Sequence, residues 1–202
     1  VQANLLDLAH HYHALAQKNG SAADRDAAVR WYREYLDAFN SAPQAAATRL
    51  LLADVLFDGG RFSEAAAEYE LAAYSYAQAP EAGRAGYAAL VAYDKAEALL
   101  PEAERPALRL RAIDSSLRFA STFPNHAETP AVLARTTKAL FDAGDRDRAE
   151  AVANQVLALG PRADVGQQRV AWTVLAHTYF DSGRFAEAEQ AYGEVASRLP
   201  AN

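Results

Sequence analysis

The chain has 202 residues, a formal net charge of -6, no cysteine and no methionine, and about a quarter of its residues are alanine. The acidic surplus leaves no broad basic face for a phosphate backbone, so nucleic acid is not an expected partner. The missing cysteines exclude disulfides, thiolate nucleophiles and zinc–thiolate sites together, without fixing the compartment.

No run of about 18 apolar residues occurs, so direct membrane insertion is not expected. The alanine content, with no alternating strand pattern bounded by turn signals, predicts an all-α chain. Val1 opens inside an apolar periodic pattern, and with no methionine anywhere the chain is expected to be a piece of a longer protein.

In chain order, the first helical hairpin is predicted over about 1–43. Leu5, Leu8, Ala9 and Tyr12 share one face of its first helix, and Ala28, Tyr32 and Tyr35 one face of its second. About seven extra residues fall around Asn19-Gly20-Ser21-Ala22-Ala23-Asp24. This is a turn and N-cap composition, so a longer elbow is expected there. His10, His11 and His13 invite a metal reading, because residues at i and i+3 share a helix face. No carboxylate stands on the next turn, and Ala14 occupies the position where an i+4 ligand to His10 would be wanted. The cluster is read as polar side chains on an exposed or concave face, with no metal.

A second hairpin, about 46–80, carries Leu52, Ala53, Leu56, Gly60, Phe62, Ala65, Tyr69 and Ala72. The third, about 83–124, is the least regular. Tyr87, Ala89, Leu90 and Tyr93 mark its first helix, Ala112, Ser116 and Phe119 its second, and Pro124 follows as a stop. Pro101 and Pro106 bracket its turn, which predicts two long helices ending and starting there. The fourth, about 130–161, has Leu133, Leu140, Gly144, Ala149, Val156 and Pro161. Thr136 and Thr137 stand where Leu and Ala belong, and Arg146 replaces the aromatic residue. The fifth, about 168–200, shows the pattern most fully: Trp172, Leu175, Ala176, Tyr179, Gly183, Phe185, Ala188, Tyr192 and Pro200.

Large and small positions recur at these offsets, and one phrase recurs with them: Leu56-Phe57-Asp58-Gly59-Gly60, Leu140-Phe141-Asp142-Ala143-Gly144 and Tyr179-Phe180-Asp181-Ser182-Gly183. On these residues the sequence resembles the tetratricopeptide repeat family, whose helical hairpins recur at about 34 residues. The resemblance implies one right-handed α-solenoid of five hairpins over 1–202. Phe119 to Glu128, with its Phe-Pro-Asn junction, is similar to repeat junctions of bacterial envelope proteins of this family. That likeness implies a periplasmic or envelope address, with the cytoplasm as the alternative.

The family likeness implies a protein-interaction scaffold or adaptor that holds a partner segment on a concave face, with no cofactor. The alternative is a regulatory or sensor domain that closes on a peptide or small ligand and controls an attached domain. The shared phrase places Phe57, Asp58, Phe141, Asp142, Phe180 and Asp181 at that groove, with Asp54 and His177 one turn earlier. An acidic, aromatic groove is expected to take a basic or amphipathic segment. The competing expectation is that each Phe packs within its own hairpin and each Asp caps the turn at Gly60, Gly144 or Gly183. Val195 and Leu199 carry an apolar stripe to the end of the last hairpin, so the chain is expected either to associate end to end between copies or to gain solubility when extended.

No chemistry competes with this reading. Asp58-Gly59-Gly60-Arg61 is a helical elbow without the Lys-Ser/Thr of a phosphate loop, no Gly-x-Ser-x-Gly elbow occurs, and Glu187 and Glu189 read as a solvated face. An enzyme is not expected.

Overall fold

The computed structural model describes residues 2–198, and every regular element among them is helical. In order these are α1 Gln2–Asn19, α2 Ala22–Phe39, α3 Ala45–Asp58, α4 Phe62–Tyr74, α5 Ala82–Leu99, α6 Arg105–Thr122, α7 Thr129–Asp142, α8 Arg146–Ala158, α9 Val165–Asp181 and α10 Phe185–Ser197. Short 3-10 turns lie at Glu102–Glu104 and Gly160–Arg162. Consecutive helices pack in pairs as α1 on α2, α3 on α4, α7 on α8 and α9 on α10. No described helix is long and apolar enough to cross a membrane.

The chain divides into two compact units, Val1–Ala112 and Ile113–Asn202, with the boundary inside α6. In the first unit α1 packs on α2, α2 on α3, α3 on α4 and α4 on α5. Tyr32, Tyr35, Leu52 and Leu56 are fully buried, with Ala28, Ala53, Ala65 and Ala89 beside them. Each leucine contributes roughly 1.5–3 kcal/mol through burial, and the alanines let helix backbones approach closely enough for the large side chains to interlock.

In the second unit α7 packs on α8 and α9, α8 on α9, and α9 on α10, around Leu140, Val156 and Leu175. Ala149 and Ala188 are buried like Ala28 and Ala65. Ala112, aligned with them in the sequence, is only half-buried, so the irregular third repeat departs from the pattern at this position.

Three elbows share one backbone solution. Gly60, Gly144 and Gly183 take φ of 74°, 81° and 75°, a left-handed conformation that costs other residues about 1–2 kcal/mol. The amide after each glycine reaches back five residues, Arg61 to Leu56, Asp145 to Leu140 and Arg184 to Tyr179, at 2.8–3.0 Å. The glycine amides bond the carbonyls of Phe57, Phe141 and Phe180. This is the Schellman closure, made by backbone amides.

One sequence expectation needs correction. The first elbow is not long: only Gly20 and Ser21 separate α1 from α2. The extra residues lengthen both helices to 18 residues each, and Ser21 caps α2 by accepting the Asp24 amide at 3.2 Å. Thr136 and Thr137, which stand where Leu and Ala belong, are both buried in α7. They donate to the Val132 and Leu133 carbonyls at 2.8 and 2.9 Å, so the polar atoms are satisfied within α7 and the methyl groups serve as packing.

Candidate functional site

The recurring Phe-Asp pair closes α3, α7 and α9, so Asp58, Asp142 and Asp181 are each the last residue of a helix. A carboxylate there faces the negative end of the helix dipole, which destabilises the helix by a few tenths of a kcal/mol. The aspartates give the elbows no cap in exchange, because backbone amides close them. All three carboxylates are exposed.

In the first unit Asp54 stands one turn before Asp58 and accepts the Tyr69 hydroxyl at 2.6 Å. Phe57 is half-buried, its ring edge-on to Phe62 at 5.0 Å and to Tyr69 at 6.4 Å. His13 lies within the electrostatic reach of both aspartates, yet burial outweighs them and holds its pKa below the ordinary value of 6.5. Gln17 donates to Nε2 of the neutral ring at 3.1 Å, which leaves Nδ1 to donate to the Tyr32 hydroxyl at 3.0 Å. Burial, reinforced by Asp54, pushes the Tyr32 and Tyr69 phenols up, so both remain neutral.

In the second unit the corresponding positions are His177 and Tyr192, with Tyr192 Oη 3.2 Å from His177 Nδ1 and the rings perpendicular. Phe141 lies 5.9 Å from His177. Arg146 stacks over Phe141 at 3.7 Å, donates to the Phe141 carbonyl and reaches Asp181 at 3.7 Å. The residue that replaced the aromatic thus joins the fourth hairpin to the fifth. Asp142 pairs with Lys138 on its own helix. Phe180 packs edge-on to Phe185 at 5.5 Å, but both remain open to solvent, at 55% and 63%. The expected site residues therefore form one group in each unit: Asp54, Phe57 and Asp58 in the first, and Phe141, His177, Phe180 and Asp181, with Asp142 beside them, in the second.

The sequence reading missed the arginine at the start of the second helix. Gly60-Arg61-Phe62-Ser63-Glu64 and Gly183-Arg184-Phe185-Ala186-Glu187 share a pattern. Each arginine binds the glutamate three residues on, at 2.6 Å, and an acid on the preceding hairpin, Asp26 at 3.5 Å or Glu150 at 3.1 Å. Arg61, with help from Arg33, holds the Glu64 carboxyl at about 2. Glu187 is thus one partner of an inter-hairpin clamp, not simply a solvated charge. The recurrent Gly-Arg-Phe-x-Glu was the available signal.

Among the described residues, no three His, Cys, Asp or Glu side chains are grouped to hold a metal ion. His10 and His13 both turn toward Tyr32, whereas His11 lies against Tyr12.

Residues 170–202 match the tetratricopeptide repeat model. The chain carries a tetratricopeptide repeat. Solved structures agree on the fold. BtubC from P. vanneervenii is 16% identical, with 100% of this chain and 92% of that one covered and a TM-score of 0.50. A MamA mutant is 18% identical over 93% and 90% of the two chains, with a TM-score of 0.51. At these identities the likeness is one of fold. A comparison with curated protein sequences finds no match. The tetratricopeptide fold is in general that of a protein-interaction scaffold.

Proposed function

We propose that the chain is an interaction scaffold whose Phe-Asp helix ends bind a basic or amphipathic segment of a partner protein. The observation that carries this reading is the repeated placement of an exposed aspartate at a helix C-terminus, where it opposes the dipole and caps nothing. Aspartate steers and orients a cationic segment, and the neighbouring aromatic rings offer apolar anchors. Asp54 has a second duty, since it holds Tyr69, so replacing it mixes binding with folding. The cleaner test is the triple change Asp58→Asn, Asp142→Asn and Asp181→Asn in the full chain. A synthetic lysine-rich amphipathic peptide should bind the parent in a salt-sensitive way and the variant at least tenfold more weakly, while the thermal melt stays level or rises slightly. Equal affinity for both proteins would sink the proposal.

The terminal hairpin also supports association between copies. Phe57 and Phe62 are half-buried and Tyr69 is 4% exposed in the second hairpin, where α5 packs over α4. Their counterparts Phe180, Phe185 and Tyr192 are open, Tyr192 at 40%. Val195 is half-buried, and Leu199 lies outside the described residues. Sedimentation should show an average mass that rises with concentration and a Phe185→Lys variant that stays monomeric. A parent that is monomeric at every concentration would remove this part of the reading.

A further inference from the structure

The open face of α10 carries a carboxylate beside its aromatic rings, and the joints inside each unit show what such a face receives. The first helix of a hairpin lies on the second helix of the hairpin before it: α3 on α2 and α5 on α4 in the first unit, α9 on α8 in the second. Under α5, the helix α4 buries Ala66, Tyr69 and Ala73. Counted from the elbow glycine, α10 has Glu189, Tyr192 and Ala196 at these positions, and all three are exposed. The covering helix α5 is rich in small buried side chains, Ala82, Ala85, Ala89, Ala92 and Ala96, which let it approach its neighbours closely.

An ion pair accompanies this packing. Asp26 stands six residues after Gly20 and is bound by Arg61, the residue directly after the next elbow glycine, at 3.5 Å. Glu150 stands six residues after Gly144 and is bound by Arg184, directly after Gly183, through both carboxylate oxygens at 3.1 Å. The same guanidinium groups also hold the glutamate three residues on, Glu64 or Glu187, a forked arrangement that the point charge of lysine does not reproduce. Glu189 stands six residues after Gly183, and no described basic side chain pairs with it. The residues that follow the elbow glycines are Ser21, Arg61, Asp145 and Arg184, and both arginines are engaged in the clamps. A second copy of the chain can therefore cover the rings of α10 but has no unengaged elbow arginine for Glu189.

We infer that this face docks a helical hairpin of a partner protein, with an alanine-rich first helix laid on α10 and an arginine directly after its elbow glycine bound to Glu189. The inference rests on the open aromatic face that supports association between copies, and it names the occupant that also satisfies the carboxylate. Phe185 and Tyr192 pack against the small side chains of the incoming helix, and the charge-assisted bond to Glu189 sets its register.

The experiment selects a displayed library of disulfide-closed helical hairpins against the full chain. Their first helices are alanine-rich, and the residue after the elbow glycine and the one three positions on are each free to be Arg, Lys, Gln or Glu. Arginine should be enriched directly after the glycine. The selected hairpins should bind Glu189→Arg at least tenfold more weakly, since two guanidinium groups would then meet, with an unchanged circular dichroism melt. Selection against Glu189→Arg should in turn enrich glutamate at that position. The triple aspartate variant should bind the hairpins as the parent does, and Glu189→Arg should leave self-association in sedimentation unchanged, whereas Phe185→Lys should abolish both. Hairpins that bind a parent found monomeric at every concentration would uphold this inference and remove only the association between copies. Enrichment without preference for arginine, or arginine hairpins that bind Glu189→Arg as tightly as the parent, would overturn it. So would a Glu189→Arg variant that loses self-association, because a second copy would then fill the Glu189 site, and so would a selection that yields no hairpin at all.

Discussion

Ala188 shows how little room a repeat leaves at a helix crossing. It is 2% exposed, and Ala28, Ala65 and Ala149 are fully buried at the matching positions. Ala188→Leu inserts volume where two backbones already meet, and a cost of about 1–3 kcal/mol is expected in urea unfolding; an unchanged midpoint would contradict the alignment. His13 carries a different kind of constraint. Its folded pKa lies below 6.5 because burial disfavours the cation, even with Asp58 and Asp54 nearby and His10 adding to the depression. Below pH 6.5 the unfolded chain takes up a proton that the folded chain resists, so stability falls as pH drops from 7.5 to 5.5. His13→Gln should flatten that slope relative to the parent. Parallel pH profiles for the two proteins would show that His13 is not the titrating group.

At the scale of elements, the second hairpin is joined by more than apolar contact. Arg49 on α3 meets Glu68 on α4 at 2.6 Å, with side chains only 16% and 17% exposed. Removing one member leaves the other nearly buried without its partner, so Glu68→Ala should cost about 2–3 kcal/mol. The double change Arg49→Met/Glu68→Leu should recover most of that loss, because desolvation no longer opposes folding. A double-mutant cycle measures this directly, and additive losses would mean that the pair is not coupled. The Arg61 and Arg184 clamps act between hairpins, but they are more exposed, so their contribution is to register more than to stability.

For the whole molecule, stacking energy depends on how many neighbours a hairpin has. The helix α4 buries Ala65, Ala66, Tyr69, Ala72 and Ala73, whereas α10, of equal length, buries Ala188 and Ala191 among its described residues. Hydrogen exchange should therefore be at least tenfold faster across α10 than across α4 under native conditions. Equal protection would indicate that α10 is covered in solution, for instance by a second copy.

The sequence by itself determined the helical class, the five hairpins and the elbow glycines. Each of these follows from local spacing: Leu175, Ala176 and Tyr179 share a face by period alone, and Gly183 marks a backbone state that other residues avoid. It also offered Phe57 with Asp58 and Phe180 with Asp181 as candidate groove residues, because they recur at fixed offsets. Only the tertiary structure decided what those side chains do. Asp54 serves Tyr69 fifteen residues away, Arg146 bridges Phe141 to Asp181 on the next hairpin, and Phe180 stays exposed whereas Phe57 is half-covered. The length of the first elbow was open for a related reason, since extra residues can extend two helices or a loop with the same composition. Periodicity specifies a face, but the partner of that face lies on another helix, and its distance is set by packing that no local pattern encodes.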